Sequence, residues 1–158
     1  MSENTEFNMD KRVIVKNLAP WNVGFPNKAS TGDTVFSPSG STRMRREEIV
    51  AQAESGNKLF NGINEIGSHA TLFIDDAETR EYLGYDSKEE GREQEIINDD
   101  KITSWFNLKT QRTFEKKIEE NVVTMAEKSF LLEAIKRLKF DSFEKISFCQ
   151  EYCKFRLF

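Results

Sequence analysis

Beyond Gly91 the chain has neither glycine nor proline: all eight glycines lie between Gly24 and Gly91, and the three prolines (Pro20, Pro26, Pro38) lie in the first quarter. Turn punctuation is therefore confined to the N-terminal half, and the C-terminal half is free to run as helix. There is one histidine, His69, which excludes a multi-histidine metal cluster and most imidazole-based catalytic sets. There are two cysteines, Cys149 and Cys153, too few for a disulfide scaffold or a four-thiolate zinc site. No apolar run approaches the roughly 18 residues of a membrane span, and residues 1–10 are polar and acidic, so neither a span nor a secretory leader is expected. The glycines at 24, 32 and 40 are too widely spaced for a dinucleotide or phosphate-binding loop, and the nucleophile-elbow pattern is missing.

What is present is a chain of 158 residues with 32% charged and 37% hydrophobic side chains and a net charge of −4. A chain of about 150 residues buries roughly 68 to 70% of its unfolded surface, enough to fold without a metal or cross-link. Its 13 Phe argue for a Phe-packed core and against disorder. Divided by position, residues 1–85 carry 9 basic and 12 acidic side chains, residues 86–100 carry 2 and 7, and residues 101–158 carry 12 and 8. This uneven charge predicts a frayed N-terminus over 1–10, a β-rich module over 11–85, an acidic solvated linker or exposed loop over 86–97 and a helical module over 98–158. The expected class is α+β: a small β-sandwich or half-barrel followed by a three- to four-helix bundle.

In the first module, the β-branched run at 11–17 reads as a strand, residues 21–25 as extended chain, and 33–37 as a further strand. Pro38, Ser39, Gly40 and Ser41 compose a turn that would return 42–44 as the partner of that strand. Ile49, Val50 and Ala53 sit at helical spacing over 45–55, with Gly56 as a stop. Residues 69–74 read as a further strand, and Asp75 and Asp76 cap a short helix over 77–83.

In the second module, Asn98, Asp99 and Asp100 start a helix that carries Ile102, Trp105 and Phe106 on one face. Thr110 caps the next, where Phe114, Ile118, Val122 and Met125 recur at spacings of 4, 4 and 3. Its end is open: it stops near Lys128 or runs on through Leu131, Ile135 and Leu138, with Ser129 as an alternative start. Asp141 and Glu144 have the spacing of a capping box for the last helix.

Each chemical candidate has a plainer reading. His69 could act as a base beside Ser68, Asp75 or Asp76, but a lone histidine at a strand start is more often an ordinary hydrogen-bonding residue. Cys149 and Cys153, four apart among Phe148, Tyr152 and Phe155, read as buried reduced thiols. Asp75, Asp76 and Glu78 lack the spacing of an oxygen-ligand metal loop and suit a helix N-terminus. No cofactor or metal is expected. Arg43, Arg45 and Arg46 form a compact basic group able to touch an acidic surface, although Glu47 and Glu48 cancel much of its field and specific nucleic-acid binding is not indicated. The chain ends Phe155-Arg156-Leu157-Phe158, apolar and basic where soluble chains usually fray, so Phe155, Leu157 and Phe158 are docking candidates.

Val13-x-Val15-x-Asn17, Val23-Gly24-Phe25, Phe36-x-Pro38-x-Gly40-x-x-Arg43, Arg46-Glu47-Glu48-Ile49 and Leu72-x-Ile74-x-Asp76 together resemble a pattern in small uncharacterised proteins of tailed bacteriophages. The resemblance implies a β-module before a helical tail, encoded among virion-structure genes, and it departs in the acidic segment and the aromatic C-terminus. The expectation is a non-enzymatic virion structural or assembly protein, a head or head-to-tail accessory. It would contact other virion proteins or itself in a ring or lattice, without membrane, in the virion and in the host cytoplasm during assembly. The alternative is a phage-encoded inhibitor or regulator that binds a host protein or small nucleotide.

Overall fold

A computed structural model describes residues 7–94 and 96–154. The fold is α+β, with two small antiparallel sheets and seven helices among the described residues. The chain divides into two units, Met1–Glu95 and Ile96–Phe158.

In the first unit, β1 (Arg12–Asn17) is the centre of a three-stranded antiparallel sheet between β4 (Ser41–Arg45) and β5 (Leu72–Asp75). β2 (Val23–Pro26) and β3 (Asp33–Phe36) form a separate two-stranded sheet. Strict alternation on β1 sends Val13, Val15 and Asn17 inward and Arg12, Ile14 and Lys16 outward. Val13, Val15, Leu72 and Ile74 are buried along with Ile49 and Val50 of α1 (Arg46–Glu54), and Phe25 touches Phe36 and Phe60 at ring distances of 6.3 and 5.7 Å. The short helices α2 (Lys58–Asn61) and α3 (Ala77–Tyr82) complete the unit.

Several local expectations are corrected. The turn at Pro38 to Ser41 forms, closed by Gly40 N–H to Ser37 C=O, but it does not pair β4 with β3. Asn17 explains why. Buried in the core, its amide donates to Trp21 and Ser37 carbonyls and accepts from Ala19 N–H, which lays the turn beside β1 and delivers β4 to that strand. His69 lies outside the strand, in a left-handed turn at φ 59°, and β5 begins at Leu72. Within the N-terminal stretch expected to fray, residues 7–10 are pinned: Phe7 stacks on Tyr82, and Glu47 N–H bonds Met9 C=O.

The acidic stretch at 86–94 is tied to its own unit instead of running free. Asp86 pairs with Arg80 at 3.0 Å and accepts Gln94 N–H, Arg92 donates to the Gly84 and Tyr85 carbonyls, and Gln94 donates to Gly67 C=O. Its charges are not mutually repelling ornaments; the first of them is an acceptor that closes a loop. Gly62 adopts φ 70°, and a side chain there would overlap the Ser68 carbonyl, so only glycine suits this position.

The second unit contains α4 (Asp99–Phe106), α5 (Gln111–Asn121), α6 (Met125–Leu138) and α7 (Phe143–Tyr152). Asn98, Thr110 and Thr124 cap α4, α5 and α6 by accepting a backbone N–H. Ile102, Phe106, Phe114, Ile118, Val122, Leu131, Ile135 and Cys149 share one core. The stripe from Phe114 does not make one long helix: α5 stops at Asn121, Val122 remains buried in extended conformation, and Met125 is 55% exposed at the start of α6. A capping box between Thr124 and Glu127 sets that new start. The box anticipated at Asp141 and Glu144 is absent; Ser142 is the N-cap of α7 and makes no side-chain cap bond.

Candidate docking cleft

The basic triplet at 43–46 is split by geometry. On β4 the two-residue period places Arg43 and Arg45 outward with Met44 buried between them. At Arg46 the chain turns into α1, and the period change sends this side chain inward, where it is only 2% exposed. Its guanidinium bonds Asp76 at 2.8 Å, Glu78 at 2.7 Å and the Thr79 hydroxyl at 3.1 Å, and lies 4.3 Å over the Phe7 ring. Burial alone would push the Asp76 carboxyl up, but bonds from Thr79 and Arg46 outweigh that and hold it below the usual carboxylate range. Desolvation likewise opposes the Arg46 charge, and the bonds to Asp76 and Glu78 more than restore it. The cation thus occupies the space between the two carboxylates once considered for a metal, and Asp76 also caps α3.

Arg43 and Arg45 instead belong to a basic outer face completed from β1. The register places Arg12 opposite Arg45 and Ile14 opposite Arg43, with Lys16 further along. Lys16 pairs with Asp75 of β5 at 3.5 Å and Arg45 with Glu47 at 3.1 Å, whereas Arg12 and Arg43 have no ion pair among the described residues. Ile14, 38% exposed, supplies an apolar centre. Sequence reasoning missed Arg12, although its place in the alternation Arg12, Ile14, Lys16 is a readable signal once β1 and β4 are known to pair.

At the edge of β4 this face meets a cleft of about 380 Å³ against the β2–β3 hairpin, lined by Arg12, Arg43, Arg45, Asn27, Ser30 and Thr34. Glu48 also lines the cleft, beside the arginines whose field the sequence has it offset. Its two carboxylate oxygens accept Lys28 N–H at 2.7 Å and Ala29 N–H at 2.8 Å, and Gln52 donates to it as well. The carboxylate thereby holds the hairpin loop that forms the far wall.

The other candidates lie elsewhere. Asp75 is engaged by Lys16, and His69 sits in the turn preceding β5. Cys149 and Cys153 are buried on α7 and at its end, and burial pushes their thiols up to about 12 and about 11, which leaves them protonated and unreactive at neutral pH. No group of three or more His, Cys, Asp or Glu side chains is arranged to hold a metal among the described residues. No described helix is long and apolar enough to cross a membrane. Phe155, Leu157 and Phe158 lie outside the described residues. The chain matches no family model, no curated protein and no solved structure, so its geometry and its sequence carry the functional reading.

Proposed function

We propose that this chain is a non-enzymatic phage virion structural or assembly protein, a head or head-to-tail accessory that works through protein contacts. The observation that carries the reading is the outer face of the β4-β1-β5 sheet, where Arg12 and Arg43 have no ion pair among the described residues and stand beside the half-exposed Ile14. A basic rim around an apolar centre is suited to steering and fixing an acidic protein surface. The resemblance of its sequence pattern to small tailed-phage proteins supplies the biological setting.

In this reading the two sheets are walls of a half-barrel around the Phe25, Phe36 and Phe60 cluster, and α4 to α7 form a helix bundle. Phe155, Leu157 and Phe158 are a second contact on the sequence argument alone. Mass spectrometry of purified particles tests the reading: the chain is expected at stoichiometric abundance, and its absence contradicts a virion role. Deleting residues 154–158 is expected to lower incorporation, and unchanged incorporation removes the C-terminal contact.

A further inference from the structure

The hydrogen-bond parity of β4 has a use that side chains alone do not reveal. Asn17 N–H bonds Gly40 C=O, and Arg46 N–H bonds Lys11 C=O, at the two ends of the β1–β4 register. In an antiparallel ladder, bonded pairs alternate, so Thr42 and Met44 direct their backbone groups to β1 while Ser41 and Arg43 direct theirs away from it. Arg45 directs its N–H the same way, and its C=O enters α1 as the N-cap carbonyl. β4 ends the sheet, so this row faces the cleft. The opposite edge is treated differently: on β5 the outward Ile74 carbonyl is capped by Arg80 at 2.8 Å. One carbonyl of the β5 edge is thus capped, whereas the outward groups of Arg43 and the Arg45 N–H have no backbone partner among the described residues, with the arginine side chains beside them. Near the turn the Thr42 hydroxyl reaches across to Val35 C=O at 3.5 Å.

We propose that the open edge of β4 accepts an extended acidic segment of a partner protein as an added strand, bonded to Arg43 N–H and C=O and Arg45 N–H, with its carboxylates on Arg12 and Arg43. This rests on the docking reading above and names its partner chemistry. Charge decides the occupant: an unpaired pair of arginines favours acidic side chains, while an open strand edge favours a polypeptide backbone over a phosphate chain.

The test uses the full chain and a blocked Glu-Val-Glu-Val-Glu peptide, followed by titration calorimetry and amide NMR. Binding is expected at low salt, with the Arg43 and Arg45 amides shifted, and the Lys-for-Glu peptide should bind at least about tenfold more weakly. Methylating alternate peptide nitrogens should weaken binding about tenfold, as should Arg43→Pro beyond the loss from Arg43→Ala. Proline is tolerated there because the N–H it removes faces away from β1; the methylated peptide needs no protein variant at all. Equal affinity for the methylated peptide, tighter binding of a single-stranded oligonucleotide, or no binding at millimolar peptide overturns strand addition. Particle mass spectrometry separates the two ideas. A chain present in particles that ignores the peptide leaves the virion role and removes strand addition, whereas peptide binding by a chain absent from particles does the reverse.

Discussion

The two units of this chain are held together by different physics. In the C-terminal unit, Phe106, Phe114, Ile118, Leu131 and Cys149 fill one apolar interior, and polar groups cap the helices or tie neighbouring elements from its margin, as Lys145 does to the Phe106 and Leu108 carbonyls and Tyr152 to the Val122 carbonyl. In the N-terminal unit, polar groups are themselves interior parts. Arg46 joins α1 to α3 through Asp76, Glu78 and Thr79, Glu48 and Gln52 hold the hairpin, and the Tyr85 hydroxyl donates to Asn61. The first design tolerates interchange of similar apolar groups, while the second demands particular donors and acceptors at particular places. A unit specified by paired polar groups also leaves a defined surface, which is where the docking cleft lies.

The sharpest way to break the comparison is one interior deletion in each unit. Phe114→Ala should destabilise the C-terminal unit by about 4 kcal/mol, because a fully buried ring leaves a cavity. Arg46→Ala should cost the N-terminal unit about 3 kcal/mol, since it takes the cation from the largely buried Asp76 and leaves it only its bonds from Thr79, while the mostly exposed Glu78 limits the loss. Hydrogen exchange read by mass spectrometry distinguishes the units, and each substitution should deprotect its own. Equal deprotection of both by either variant would show that the units are not separately held.

Acid and alkali should also separate them. The Asp76 carboxyl is held below its usual range in the folded state, so its contribution is present above the ordinary carboxylate pKa and is lost as pH falls through the lowered value. The N-terminal unit is therefore expected to loosen progressively below about pH 4. The thiols run the other way. Raised to about 12 and about 11 in the folded state, they contribute fully below the ordinary thiol pKa and lose that contribution as pH climbs through the raised values. Burial raises Tyr85 as well, but tyrosine ionises later than a thiol in an unfolded chain, so the C-terminal unit should loosen first above about pH 9. Exchange measured across pH checks both arms, and Cys149→Ala with Cys153→Ala should shrink the alkaline one to what the Tyr152 hydroxyl, also raised by burial, leaves.

Smaller effects sharpen the picture. Thr124→Ala should cost about 1 kcal/mol by breaking the capping box that starts α6. Phe143, 81% exposed, should be replaceable by Ser with a change within about 0.5 kcal/mol, read by denaturant titration. A large loss at Phe143 would mean that its ring is buried in the working state.

The C-terminal unit was the more legible in sequence because apolar period and cap residues decide its helices. Thr110 and Asn98 both cap as their residue types suggest. The break at Val122 was missed although Thr124 and Glu127 carry the capping-box spacing, because the apolar stripe passes smoothly across it. Pairing of β4 with β1 was illegible for a different reason: the deciding group is the buried Asn17 amide, far from the turn in sequence. Arg46 was misread as surface because its neighbours Arg43 and Arg45 are surface residues, and only the strand-to-helix junction reverses the facing. The cleft followed from that same junction and from a register that no local pattern contains.

Cross-linking mass spectrometry of the chain within purified particles addresses the central claim most directly. Lys11 and Lys28 are exposed on the same unit as the β4 cleft, and Lys16 lies on its outer sheet face. The account predicts that these lysines cross-link to an acidic segment of one virion protein, and that Arg12→Glu with Arg43→Glu abolishes those links while the fold persists. Links confined to the helical unit, or links unchanged in the charge-reversed chain, would contradict it.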